Sequence, residues 1–212
     1  FYMDAPAIRE ELRVMCRKLS SNGYNVLLPN LFYREGIEGN YPFDQKTYKN
    51  SKVELRKMIS VMDKTTNNMI LKDTKYIINY IKTKFENNKI GIVGYCMSGR
   101  FVITVGGTFI DDIKAIASFY GVGLCTEKRD SPHLLVDKIK AELYLAFAEK
   151  DMWVPENILN KIKKFYKKDN TTIEVYPDTD HGFAFPQRNT YVKGAADKHW
   201  VKLLDLFNRN LL

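Results

Sequence analysis

Between residues 90 and 101 the chain reads Ile-Gly-Ile-Val-Gly-Tyr-Cys-Met-Ser-Gly-Arg-Phe, an apolar run that passes through a cluster of small residues straight into a second apolar run. The first run is entered from the polar Glu86-Asn87-Asn88 and is short, which predicts a buried strand; the second predicts an apolar helix over about residues 97–109. Only Gly94-Tyr95-Cys96-Met97-Ser98-Gly99 joins them. A turn that tight lifts its apex residue clear of the sheet, and small residues on either side are needed for strand and helix to approach closely. The segment therefore commits the chain to strands that feed directly into helices packed against them.

The rest of the sequence agrees. Residues 113–120, 141–147 and 172–176 are three further apolar runs, with helices expected at about 133–139 and 156–167 between them. Earlier, Ile8, Leu12, Met15, Cys16 and Leu19 share a helical face that stops before Asn22-Gly23, and residues 24–28 read as a buried strand ended by Pro29-Asn30. Residues 31–52 are polar, with Gly36, Gly39 and Pro42, and predict a long surface loop. Helical stripes return at Leu55, Met58, Ile59 and Met62 and at Ile77, Ile78, Ile81 and Phe85. A last one carries Val192, Ala196, Trp200, Leu203, Leu204, Phe207 and Leu211. Apolar strands alternating with amphipathic helices predict one α/β domain, a mostly parallel twisted sheet with helices on both faces. Phe1-Tyr2-Met3 reads as the end of a buried strand, so N-terminal strands of the domain are expected to be missing from these residues.

Composition excludes several classes. At 212 residues with 45% apolar and 27% charged content, the chain can bury a core of its own. No run of eighteen apolar residues occurs, so no membrane span is expected. The excess of 33 basic over 25 acidic side chains, +8, is spread out; its densest cluster, from Lys161 to Lys168, is interleaved with Ile162, Phe165 and Tyr166 as the solvated side of a buried helix. Without an aromatic stacking motif or a zinc signature, nucleic acid is not an expected partner. Cys16, Cys96 and Cys125 form an odd set without C-x-x-C spacing, which points to a reducing, cytoplasmic compartment rather than a disulfide framework. His and Cys do not fall at ligand spacing, so neither a metal nor another cofactor is expected.

Cys96 stands at the apex of the tight turn and at a helix N-terminus, where free N–H groups favour a thiolate and a developing oxyanion. Read alone, the segment serves equally as a buried structural cysteine. A catalytic thiol also needs a base, and the chain has three histidines. His133 follows Ser131-Pro132 at a helix start and His199 lies beside Trp200 within the last helix; both read as structural or surface residues. His181 lies in a polar loop directly after the fourth strand, and Asp151 just beyond the third; open sheets place their sites in such loops. A helix cap at Asp151 and an exposed turn at His181 are the bland alternatives. Taken together, nucleophile, acid and histidine run in the chain order Cys96, Asp151, His181, each after its own strand.

On these motifs the sequence resembles the dienelactone hydrolase family, a cysteine-nucleophile branch of the α/β-hydrolase fold. The resemblance spans almost the whole chain: Gly-Tyr-Asn-Val-Leu-Leu-Pro-Asn-Leu-Phe at 23–32, Gly-Tyr-Cys at 94–96, Phe-Tyr-Gly-Val-Gly-Leu at 119–124, residues 151–155, and His-Gly-Phe at 181–183. It implies Cys96 as nucleophile, His181 as base and Asp151 as the residue that orients it. The oxyanion hole would come from the N–H groups of Met97 and Ala5. A small-molecule ester or lactone would be the substrate, contacted by Tyr95, Tyr120, Trp153, Phe183, Phe185 and Arg188. The family's glutamate near the resting thiol corresponds to Asp4, which reads nearly as well as a cap for the helix that Pro6 helps to start. The family's arginine four residues after the histidine corresponds to Phe185, with Arg188 close by in sequence. A thioesterase or general carboxylesterase, and a redox-sensing module that oxidises Cys96 instead of acylating it, are the competing readings.

Overall fold

The computed structural model describes residues 1–212. Four strands form where the apolar runs lie: β1 (Ile90–Tyr95), β2 (Ile113–Phe119), β3 (Glu142–Lys150) and β4 (Thr171–Asp180). They pair in parallel in the order β1-β2-β3-β4, and a single parallel bridge from Tyr2 to Gly94 adds the N-terminal segment beside β1. The helices are α1 (Glu10–Ser20), α2 (Lys52–Lys64), α3 (Asn67–Lys84), α4 (Ser98–Thr108), α5 (Glu156–Phe165) and α6 (Lys193–Leu211). None of them is long and apolar enough to cross a membrane.

Strand alternation decides which helix covers which face. A Cβ on Gly94 would meet Ser98 and Val102 of α4, whereas one on Gly91 would meet Phe207 and Leu211 of α6. Ile92 and Gly94 thus face α4, and Gly91, Val93 and Tyr95 face α6. The register carries this onto β2, where Tyr95 lies opposite Phe119 and Gly94 opposite Ser118. Both faces are covered, as an all-parallel sheet requires, and one contiguous apolar core runs from Phe1 to Leu211.

Four expectations change. Residues 24–28 lie outside the sheet, because an apolar run becomes a strand only when a neighbour takes its backbone hydrogen bonds, and here only the Leu27 carbonyl finds one, from the Phe1 amine at 2.8 Å. Residues 31–51 form turns rather than a loose surface loop, with Lys52 already in α2. They bury Leu31, Phe32, Tyr41, Phe43 and Tyr48, and Gln45 donates to the carbonyls of Pro6 and Ile8 at 2.7 and 2.9 Å, which ties this layer down over the chain near Asp4. The helix expected at 133–139 is a 3-10 helix, Pro132–Lys138. β4 runs four residues past the expected strand, because Lys150 pairs with Asp180 after a register shift, and so it delivers His181 directly at its end.

Candidate active site

The turn after β1 puts Cys96 at φ 54°, a left-handed conformation that costs a non-glycine residue about 1–3 kcal/mol and persists only where its surroundings over-determine it. They do so here. The Cys96 N–H donates to the Phe119 carbonyl at 3.1 Å, and its own carbonyl accepts from Gly99 and Val122 at 3.0 and 2.9 Å. The close packing also needs two facing glycines: a Cβ on Gly99 would lie 2.4 Å from the Gly121 Cα. The thiol is half-buried at the start of α4.

His181 follows β4 and is turned inward by Gly182 at φ 92°, while the Thr190 hydroxyl donates to its carbonyl at 2.9 Å. Its Nδ1 lies 2.8 Å from Asp151 Oδ2, and Asp151 Oδ1 accepts the Trp153 N–H at 2.9 Å, so both carboxylate oxygens of this buried acid are used. The bond to Asp151 orients the ring and leaves Nε2 buried without a partner. Burial alone would lower the imidazole pKa, but the Cys96 thiolate and the Asp151 carboxylate outweigh it and hold the ring up at about 10. Cys96, Asp151 and His181 thus come together from the ends of β1, β3 and β4.

The remaining candidates divide by position. Neither the Met97 nor the Ala5 N–H is taken by a protein acceptor, and Ala5 sits in a turn closed by the Ala7 N–H on the Asp4 carbonyl at 3.0 Å, with Ala7 at φ 67°. Tyr120 also has a positive φ, 39°, and its hydroxyl is buried without a partner beside the His181 ring, 5.1 Å away between centroids. Trp153 is half exposed at the rim. Tyr95, Phe183 and Phe185 are fully buried beneath the site rather than on its open wall.

Asp4 does not cap α1, whose first turn is preceded by Arg9 without a side-chain cap. Its fully buried carboxylate is instead clasped by Arg9 at 2.5 Å and Arg188 at 2.8 Å. Burial pushes its pKa up, and the two guanidiniums override this and keep it below the ordinary carboxylate value. Both guanidiniums also lie against the Phe185 ring, at 5.2 and 5.8 Å from its centroid. Arg188 therefore does fold back toward the site, its side chain lying against Gly182 beside His181, but it arrives already paired with Asp4. The role of Arg9 had no signal in the sequence, since its partners are set by the fold.

No group of three or more His, Cys, Asp and Glu side chains, this cluster included, is placed to hold a metal ion. A cavity of about 270 Å³ lies elsewhere, between residues 23–29, α3 and β1, and contains none of these side chains. His133 bonds Ser131 and packs on Phe165, a structural role.

A parallel sheet with a strained residue at a strand-to-helix apex, backed by a histidine and an acid from later strand ends, defines an α/β-hydrolase. The chain matches the dienelactone hydrolase family over residues 4–211 and belongs to it. It is a hydrolase acting on carboxylic ester bonds. A candidate carboxymethylenebutenolidase of Synechocystis sp. is 27% identical over 211 residues, covering 96% of this chain and 82% of its own. The crystal structure of a candidate dienelactone hydrolase from Klebsiella pneumoniae superposes with a TM-score of 0.80 at 21% identity, covering 98% of this chain and 84% of that one. The dienelactone hydrolase from Anabaena variabilis superposes with a TM-score of 0.66 at 15% identity, covering 100% and 84%. Both structural likenesses speak for the fold.

Proposed function

We propose that this hydrolase cleaves an ester or lactone through an acyl-enzyme on Cys96, with His181 as proton carrier and Asp151 as its orienting partner. The observation that carries the reading is the Asp151–His181 bond of 2.8 Å, which turns an otherwise partnerless Nε2 into the site of a strained cysteine. The thiolate attacks the acyl carbon, and the oxyanion that forms is held by the Met97 and Ala5 N–H groups. Collapse breaks the bond to the leaving oxygen, which takes the proton from His181 Nε2 and leaves a thioester. His181, now neutral, takes a proton from water; the hydroxide attacks the thioester, and the acid and the thiolate are released.

The same geometry supports a neutral or weakly charged substrate over one with a free carboxylate. A carboxylate leaving water costs several kcal/mol unless a cation meets it. Phe185 offers none, and Arg188 is already engaged by Asp4 at 2.8 Å. The test is kcat/KM on a panel of p-nitrophenyl esters, a neutral lactone and dienelactone, with Cys96→Ala beside the native protein. Cys96→Ala should lose activity on all of them, and the neutral lactone should exceed dienelactone. Full activity in Cys96→Ala ends the cysteine reading. A dienelactone preference abolished by Arg188→Ala would make Arg188 the anchor after all.

A further inference from the structure

His199 has no part in the proton chemistry above, yet it is a fully buried histidine on α6, on the face shared by Ala196, Leu203 and Leu206. An apolar residue is the ordinary occupant of such a position, because a buried polar ring costs free energy unless its nitrogens are bonded. Besides Trp200, the neighbour on its own helix at 4.9 Å between centroids, the ring meets two aromatic residues of the sheet, and Cys96 is tied to both. Its Nε2 lies 2.8 Å from the hydroxyl of Tyr95, the residue immediately before Cys96. Its edge packs 4.2 Å, between centroids, from Phe119, whose carbonyl receives the Cys96 N–H.

We infer that His199 is a positioning residue for Cys96, acting through the Tyr95 hydroxyl and the Phe119 ring. The inference rests on the proposed role of Cys96 as nucleophile.

The bond joins two neutral side chains. Burial lowers the His199 pKa to about 3 against a weaker opposing pull from the Ala196 backbone, so the ring is neutral, and burial holds the Tyr95 phenol well above its ordinary pKa, so it keeps its proton. Two neutral groups thus share one hydrogen bond of 2.8 Å. It is the only hydrogen bond of the Tyr95 side chain. The ring also packs on the aromatic rings of Phe1 at 5.1 Å, Phe119 at 5.4 Å, Phe185 at 5.2 Å and Tyr120 at 6.0 Å, surfaces along which a ring can slide. A single directional bond thus fixes the tilt of Tyr95, and through one peptide unit the aim of a cysteine already held in a strained conformation.

The experiment compares Tyr95→Phe, His199→Phe, His199→Gln, the double variant Tyr95→Phe/His199→Phe and Cys96→Ala, with kcat and KM on p-nitrophenyl acetate and a thermal melt for each. Loss of aim should appear in kcat: Tyr95→Phe and His199→Phe should each fall about tenfold with KM within about twofold, and the double variant should fall no further than either alone. His199→Gln, whose amide oxygen stands near the lost Nε2, should retain most of kcat. If Cys96→Ala is inactive but Tyr95→Phe keeps kcat within about twofold, with only the melt lowered, His199 is mere packing and the inference fails by itself. If Cys96→Ala stays active, the cysteine reading has failed instead. Tyr95→Phe preserves the ring and its volume, so it decides the matter even if His199→Phe does not fold.

Discussion

Gly99→Ala should disable the site while touching none of the reacting groups. A Cβ there would lie 2.4 Å from the Gly121 Cα and 2.8 Å from Ser118 Oγ, where ordinary contact begins at 3.4 Å. The nearest neighbour is backbone and cannot swing aside, so α4 or the Gly121 turn must retreat by about 1 Å. Both movements reach Cys96 directly: its carbonyl accepts from Gly99 itself at 3.0 Å and from Val122, the residue after Gly121, at 2.9 Å. A misplacement of about 1 Å at a reacting group can cost about 100-fold in rate, and overpacking of this kind costs about 1–3 kcal/mol in stability. The expected outcome is a fall of about 100-fold in kcat/KM on a p-nitrophenyl ester, a lowered melting temperature and slower alkylation of Cys96. Gly194→Ala is the control, since nothing lies within 4 Å of its Cβ; at the start of α6 it should leave activity unchanged and stabilise by about 0.5–1 kcal/mol. Native kcat/KM in Gly99→Ala would refute the view that close backbone approach aims the thiol.

Asp151→Asn should leave the fold intact and lower kcat by about 100-fold or more, because an amide no longer fixes the tautomer of His181; kinetics and a melt on the same sample check both halves. Stability should peak near pH 6–7. His181 is raised from 6.5 to about 10, so its contribution is complete below about pH 6.5 and disappears as pH climbs toward 10. His199 is lowered to about 3, so its contribution is complete above about pH 6.5 and disappears as pH falls toward 3. Melts from pH 4 to 10 test this, and His199→Phe should make the acid limb shallower. Under native conditions iodoacetamide should modify Cys96 first by peptide mapping, since burial raises the Cys16 thiol and pushes Cys125 up to about 11. Phe185→Arg should destabilise rather than add a carboxylate anchor, because it would bury a third guanidinium against Arg9 and Arg188; a melt at or above the native value would contradict that.

What the sequence made legible is what local patterning controls. β1 to β4 announced themselves as apolar runs, and Cys96, Asp151 and His181 could be chosen because each follows such a run. Asp4 shows the opposite case: its partner Arg188 lies 184 positions away, so its ion pair is a product of the fold, and the helix cap that Pro6 suggested lost to it. The aromatic layer of residues 31–52 was hidden among polar residues and glycines, where no period of 2 or 3.6 reveals burial. His199 carried a readable signal, since it lies three residues after Ala196 and four before Leu203 on the apolar stripe. That spacing implies burial, which the reading of His199 as a structural or surface residue left open; the Tyr95 hydroxyl it meets belongs to β1 and could come only from the tertiary structure. The left-handed residues Ala7 and Tyr120 left no trace in the sequence, because strain is imposed by neighbours rather than by composition.

The acyl-enzyme can be weighed directly. A His181→Gln variant keeps Cys96 but lacks the base for deacylation, so mixing it with p-nitrophenyl acetate, quenching in acid and mapping the peptides should show one acetyl group on Cys96. An unmodified Cys96 in that variant, together with undiminished ester hydrolysis by Cys96→Ala, would contradict the mechanism.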